Sequence, residues 1–405
     1  LREQHPRHTC FVAPHAEVTR SFVTTINQLT RELDDDPYTD TFWGILTGYD
    51  ADNALAIART TEPLTVARVA SGTEVALEKC TEGMWYCELV KGKMVRKAAG
   101  GDAVESEGPA DSTAALVASL NDYKPGLFVT SGHATERDWQ IGYRYKNGYF
   151  RCEGGVLYGQ DTAGEKHWVK SPNPKVYLPI GNCLMGHIDS DAAMALAWMN
   201  SAGVRQMAGY TVPTWYGYAG WGCLDYFVEQ PGRYSLTEAF HANQHALIHR
   251  LARYFPGLER RPLEGPDAAM AARREIKTNS AAKAAGLSAQ DGVGLLFDRD
   301  AVAFYGDPAW RATMADGDRA YEQSLSEKDG VFTLTIAPKS GSDSFEPINT
   351  NGAQRGWRPV VEHFEKRLGE IEILEGEELR PVIADDFILV PNPRECDPEK
   401  SLKIV

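Results

Sequence analysis

Lys175-Val176-Tyr177-Leu178-Pro179-Ile180-Gly181-Asn182-Cys183-Leu184-Met185-Gly186 is a short apolar run that delivers a cysteine into a glycine-flanked loop. It reads as a buried strand with a thiol at its carboxyl end. Upstream, Gly126-Leu127-Phe128-Val129-Thr130-Ser131-Gly132-His133-Ala134 has the same form and ends in a histidine beside a glycine. If both strands are parallel members of one sheet, His133 and Cys183 emerge at the same edge. The carboxyl ends of strands are where open α/β sheets bind ligands, so a thiol and an imidazole meeting there suggest an activated nucleophile. The expectation is a cysteine hydrolase, and specifically a peptidase.

Around these two stretches the chain alternates. His8–Ala13, Phe42–Thr47 and Val204–Tyr210 read as strands, and 16–33, 50–58, 113–120 and 192–199 as helices, which argues for a mostly parallel sheet flanked by helices. Val293–Phe297 reads as a last apolar strand of this layer. Between 65 and 99 short alternating runs (74–77, 84–90, 93–97) read as hairpins at an edge, and 100–112 as a loop. Val204–Tyr210 empties into Thr211-Val212-Pro213-Thr214-Trp215-Tyr216-Gly217, where Trp215 and Tyr216 either wall a substrate pocket or simply cover the following helix. From about Asp316 the texture is all β, with strands at 331–336, 371–374 and 387–390 and one short helix around 360–368, indicating a small sandwich.

Composition bounds the function. With 405 residues, a main domain plus a smaller one is the natural arrangement. Apolar content of 43% and charged content of 24% are those of a soluble globular protein, and no apolar run approaches the roughly 18 residues of a membrane span. The formal charge of −14 argues against nucleic acid as a partner. The seven cysteines lack the paired short spacing of a zinc site, and one reactive thiol plus disulfides, or buried free thiols, accounts for the odd count. The first residue is Leu1 rather than Met; removal of a signal peptide would make the protein extracytoplasmic or secreted.

Two stretches invite a metal. Asp34-Asp35-Asp36-Pro37-Tyr38-Thr39-Asp40 offers oxygen ligands for a structural calcium ion, against the plainer reading of a solvated acidic loop. His241, His245 and His249 share one face of a helix predicted over 235–254, but Ala242 follows His241 where a metallopeptidase motif has its glutamate. A half-exposed histidine stripe without a transition metal is expected, and no cofactor is required.

Order and spacing of these motifs resemble the caspase-like cysteine peptidases, the clan of caspases, legumain, clostripain and gingipains. The gingipain family is the most similar: Asp36-Pro37-Tyr38-Thr39-Asp40 precedes an early strand, Asn182-Cys183-Leu184-Met185-Gly186 is similar to its cysteine loop, and Tyr305-Gly306-Asp307-Pro308 to the turn before its immunoglobulin-like domain. The resemblance covers most of the chain. It implies a caspase-like peptidase domain over residues 1–315 (subdomains 1–110 and 111–315) and an immunoglobulin-like β-sandwich over 316–405. It implies a secreted thiol protease whose His133/Cys183 dyad hydrolyses protein or peptide substrates through a thioacyl-enzyme, with the backbone N–H groups of Cys183 and Ala134 as the oxyanion hole. The gingipain branch suggests a basic side chain before the cleaved bond, the legumain branch asparagine. Here Gly132 precedes His133 and Ala134 follows it, whereas the clan has glycine after its histidine. The alternatives are a catalytically inactive caspase-like binding or surface protein and, further off, a metallohydrolase.

Overall fold

The computed structural model describes residues 1–263, 265–348 and 355–405. Among the described residues ten strands join in one sheet: β1 (His8–Val12), β2 (Phe42–Leu46), β3 (Arg68–Ser71), β4 (Glu82–Tyr86), β5 (Lys93–Lys97), β6 (Ala103–Glu107), β7 (Leu127–Thr130), β8 (Lys175–Pro179), β9 (Val204–Tyr210) and β10 (Val302–Tyr305). Their order across the sheet is β1-β2-β10-β9-β8-β7-β3-β4-β5-β6. The decisive pair, β7 and β8, are adjacent and parallel, with Val176 opposite Leu127 and Pro179 opposite Thr130. Val176, Tyr177, Leu178 and Leu127, Phe128, Val129 are all wholly buried. Strands covered on both faces read as unbroken apolar runs instead of alternating ones, which is why both stretches stood out.

The sheet has two blocks of opposite direction. β9, β8, β7, β3 and β4 are mutually parallel, and so are β1, β2 and β10. The blocks meet at the antiparallel pair β9 and β10. β5 and β6 extend the far edge as an antiparallel meander. The fold is thus the expected α/β type, with a mostly parallel sheet flanked by helices.

Beyond residue 320 the strands Tyr321–Lys328, Val331–Pro338 and Leu402–Ile404 form one antiparallel sheet. Val360–His363, Phe387–Val390 and Val382–Ile383 form a second. Leu334 and Ile336 of the first meet Val360, Ile388 and Val390 of the second around Phe345 and Phe364. The intervening positions Val361, Phe387 and Leu389 face the other way and join the core of the large α/β layer. The second sheet is therefore a shared wall, buried on both faces.

Several local expectations are corrected. Val293–Phe297 is not a strand but part of a helix, Ala289–Asp298, started by Ser288, whose Oγ accepts from the Asp291 N–H at 3.0 Å. Gly292 and Gly294 on that helix let Phe255 and Tyr216 pack where a Cβ would lie 2.6 and 2.2 Å from their rings. No helix forms at 360–368: Val360–His363 is a strand, Val360 and Val361 being buried on alternate sides by two different cores, and 364–368 is irregular. Residues 103–107 form edge strand β6 instead of a loop, while 74–77 and 371–374 form no strand. No helix among the described residues is long and apolar enough to cross a membrane.

Candidate active site

The parallel block sends its loops to one edge. Beyond β7 the chain turns through Gly132, whose φ of +95° belongs to the left-handed region that glycine enters without strain. Three successive carbonyls pin this turn: Ser131 accepts from Trp139 Nε1 at 2.7 Å, Gly132 from Asn182 Nδ2 at 3.0 Å and His133 from the Gln140 N–H at 2.8 Å. The His133 ring is exposed and lies against Tyr143, with centroids 4.7 Å apart.

Beyond β8 the cysteine turn is equally constrained. Leu184 has φ +57°, a conformation that costs a branched residue roughly 1–2 kcal/mol and so marks a turn held by its surroundings. Its N–H donates to Val212 O at 3.1 Å, and Gly186 N–H to Tyr210 O at 2.8 Å. Gly186 must be glycine here, since a Cβ would sit 2.2 Å from Gly209 O. Cys183 Sγ accepts from the Thr214 N–H at 3.1 Å.

His133 and Cys183 line one cavity of about 380 Å³, together with Glu88, Ser131, Tyr143, Thr214, Trp215 and Trp221 among others. Each comes from the carboxyl side of a strand of the same block: Glu88 after β4, His133 after β7, Cys183 after β8 and Trp215 after β9. Ala134 is not among the lining residues; it sits beside the cavity in an isolated bridge to Trp139. Among the described residues neither its N–H nor that of Cys183 donates a hydrogen bond within the chain. Trp215 is half exposed at the rim, whereas Tyr216 is buried and anchored by its OH to Asp291 Oδ1 at 3.2 Å. Of the two aromatics, only Trp215 can move without disturbing the core.

Glu88 is the residue that sequence reading missed. It is only 6% exposed. Thr73 Oγ1 donates to its Oε1 at 2.6 Å, and its Oε2 is buried without a partner. Burial pushes its carboxyl up from the ordinary range, against the hydrogen bond from Thr73. A lone acid inside the apolar run Met84–Val90 was the available signal.

The histidine helix runs from Leu236 to Tyr254 behind a Ser235/Glu238 capping box. His241 and His245 are not half exposed but buried completely, because this face packs on β2 and on the shared wall, whereas His249 is partly buried. His241 Nδ1–H donates to Thr237 O at 2.9 Å and its Nε2 accepts from the Trp43 N–H at 3.1 Å, so both nitrogens are used by the protein. His245 stacks on Phe387 at 4.1 Å with its Nδ1 unpartnered. Burial holds its pKa well below 6.5. The unfolded chain therefore binds this proton first, and the associated stability, complete above pH 6.5, is lost as pH falls below it. At pH 5 the loss is about 2 kcal/mol for such a histidine. His245→Phe should close the stability gap to the parent by that amount between pH 7.5 and 5, in urea unfolding at both pH values.

In the acidic loop, carboxylate oxygens of Asp34, Asp40 and Asp385 lie within 4.8 Å of one another and would be the first ligands of a calcium ion. The guanidinium of Arg367 already reaches all three, at 3.8 Å from Asp34, 3.6 Å from Asp40 and in a closer pair with Asp385. It supplies countercharge to these carboxylates.

No protein-family model matches the chain, and no curated protein does. Three solved structures are similar to it over most of its length. One is the Arg-specific cysteine proteinase gingipain R, at 10% identity over 95% of this chain and 77% of that one, with a TM-score of 0.44. Another is the complex of Porphyromonas gingivalis RgpB pro- and mature domains, at 12% identity over 83% and 72%, with a TM-score of 0.39. A third is a structure described only as a protease, at 8% identity over 75% and 64%, with a TM-score of 0.34.

Proposed function

We propose that the protein is a cysteine peptidase with Cys183 as nucleophile and His133 as general base and acid. The observation that carries this is that a thiol and an imidazole, on turns after adjacent parallel strands, line one cavity. His133 takes the thiol proton, the thiolate attacks the peptide carbonyl, and the tetrahedral oxyanion is met by the free N–H groups of Cys183 and Ala134. Collapse expels the amine, which receives the proton from His133. Water, deprotonated by the same imidazole, then releases the acid from the thioacyl-enzyme.

For the side chain preceding the cleaved bond, a buried carboxylate with one unpartnered oxygen favours a cation, so Glu88 is the recognition group for arginine or lysine. The test is hydrolysis of matched peptide amides bearing Arg, Lys, Asn or Asp at that position, with and without iodoacetamide or a chelator. Cleavage after the basic residues that is lost on alkylation and indifferent to chelation is expected. Glu88→Gln should lower kcat/KM for the arginyl peptide by roughly 100-fold, as for a charge pair with one partner removed. Unchanged preference in this variant removes Glu88 from the role, and activity surviving alkylation removes the cysteine mechanism.

A further inference from the structure

The pairing of β7 and β8 stops short of the two turns that carry the chemistry. Its last backbone bond is Ile180 N–H to Thr130 O at 3.0 Å, and among the described residues no backbone hydrogen bond joins 131–134 to 181–184. One side chain makes the crossing. Asn182, completely buried, donates from Nδ2 to Gly132 O at 3.0 Å and accepts at Oδ1 from Thr130 Oγ1 at 2.5 Å. Thr130 Oγ1 spends its proton on Asn182, so the Tyr177 hydroxyl, 2.9 Å away, is the donor to it. Flipping the amide would set Oδ1 against the Gly132 carbonyl, which fixes its orientation.

Resting on the cysteine-peptidase reading, we propose that Asn182 is the positioning residue of this site. It neighbours the nucleophile in sequence and holds the peptide unit that enters His133, so one planar amide sets the separation of thiol and imidazole. The Ala134 N–H lies in the next peptide unit, whose carbonyl, that of His133, is held by the Gln140 N–H at 2.8 Å. Tyr177 and Thr130 are the rigid strand residues from which the amide takes its own orientation, and neither touches substrate. Proton transfer and oxyanion binding both fall steeply with small misplacement, so the effect of losing this link belongs in kcat.

The test compares Asn182→Asp, which keeps the shape but turns an oxygen toward the Gly132 carbonyl, with Thr130→Val and Thr130→Ser. On an arginyl peptide amide that the parent cleaves, Asn182→Asp and Thr130→Val are expected to lose roughly 100-fold in kcat with KM changed less than about threefold, and Thr130→Ser to keep parental kcat. Iodoacetamide alkylation of Cys183 as a function of pH reads the pairing without substrate. At pH 7 the parent should be alkylated roughly tenfold faster than the two damaging variants. Melting temperatures establish that each variant is folded, and Asn182→Ser replaces any that is not. Parental kcat and alkylation profile in folded Asn182→Asp overturn the inference while leaving the peptidase reading intact, provided Cys183→Ala is inactive. Turnover by Cys183→Ala overturns the reading itself.

Discussion

Cys183→Ala is expected to abolish hydrolysis of every peptide the parent cleaves, a loss on the order of 10⁶-fold in kcat. His133→Ala should fall to a similar floor, with little further loss in the double variant, because a nucleophile without its base is nearly as disabled as a base without its nucleophile. The measurement is a burst-corrected progress curve with active-site titration, which excludes trace parent enzyme. Stability should change by less than about 0.5 kcal/mol in Cys183→Ala, since the residue is only partly buried and Sγ bonds only weakly, to the Thr214 N–H at 3.1 Å and the Thr214 carbonyl at 3.5 Å. Turnover surviving in Cys183→Ala would move the nucleophile elsewhere, with Cys10 and Cys152 the next thiols to examine.

The second large effect concerns stability. Asp225, 3% exposed on the helix Tyr218–Val228, accepts from Arg355 Nε at 2.9 Å, from the Gly356 N–H at 2.8 Å and from Arg358 Nε at 3.0 Å. Both guanidinium groups also lie over rings of the same helix, Arg355 4.5 Å from the Trp221 centroid and Arg358 4.3 Å from that of Tyr218. Asp225→Ala leaves two buried cations, with Glu229 still 3.4 Å from Arg355. A loss of roughly 3–5 kcal/mol in urea unfolding is expected, the range for stripping one member from a buried ion cluster. Trp221 lines the cavity that holds His133 and Cys183, so the same variant should also raise KM for a peptide the parent cleaves; a variant as stable as the parent would show that the cluster contributes nothing net.

What the sequence made legible follows from burial. β7 and β8 were readable because both faces of each are covered, and the ends of those runs carried the only histidine and cysteine in matching positions. The same double burial misled elsewhere. At Val360-Val361 two cores claim alternate residues, erasing the period-two pattern that identifies a strand, and in Ala289–Asp298 two glycines and an apolar stretch concealed a helix whose Ser288 cap was in plain view. Glu88 was hidden for another reason: the sequence cannot show that β4, separated from β7 by β3, ends at the same cavity as β7 and β8, because that placement depends on sheet order. Asn182 was quoted with its loop, yet its task became visible only once Thr130 and Gly132 stood on either side of it.

The antiparallel seam between β9 and β10 has a consequence for how the molecule is made. β10 inserts between β9 and β2, pairing Met207 with Tyr305 on one side and Tyr305 with Ile45 on the other. On the ribosome, everything up to residue 300 emerges before the strand that welds the two blocks exists. Until then β2 and β9 are open edges, apolar and long enough to pair with other chains, and closure spans some of the longest sequence separations in the protein. Nascent chains stalled before Val302 are therefore the species most prone to aggregate, and the demand for chaperone protection peaks at that point of synthesis.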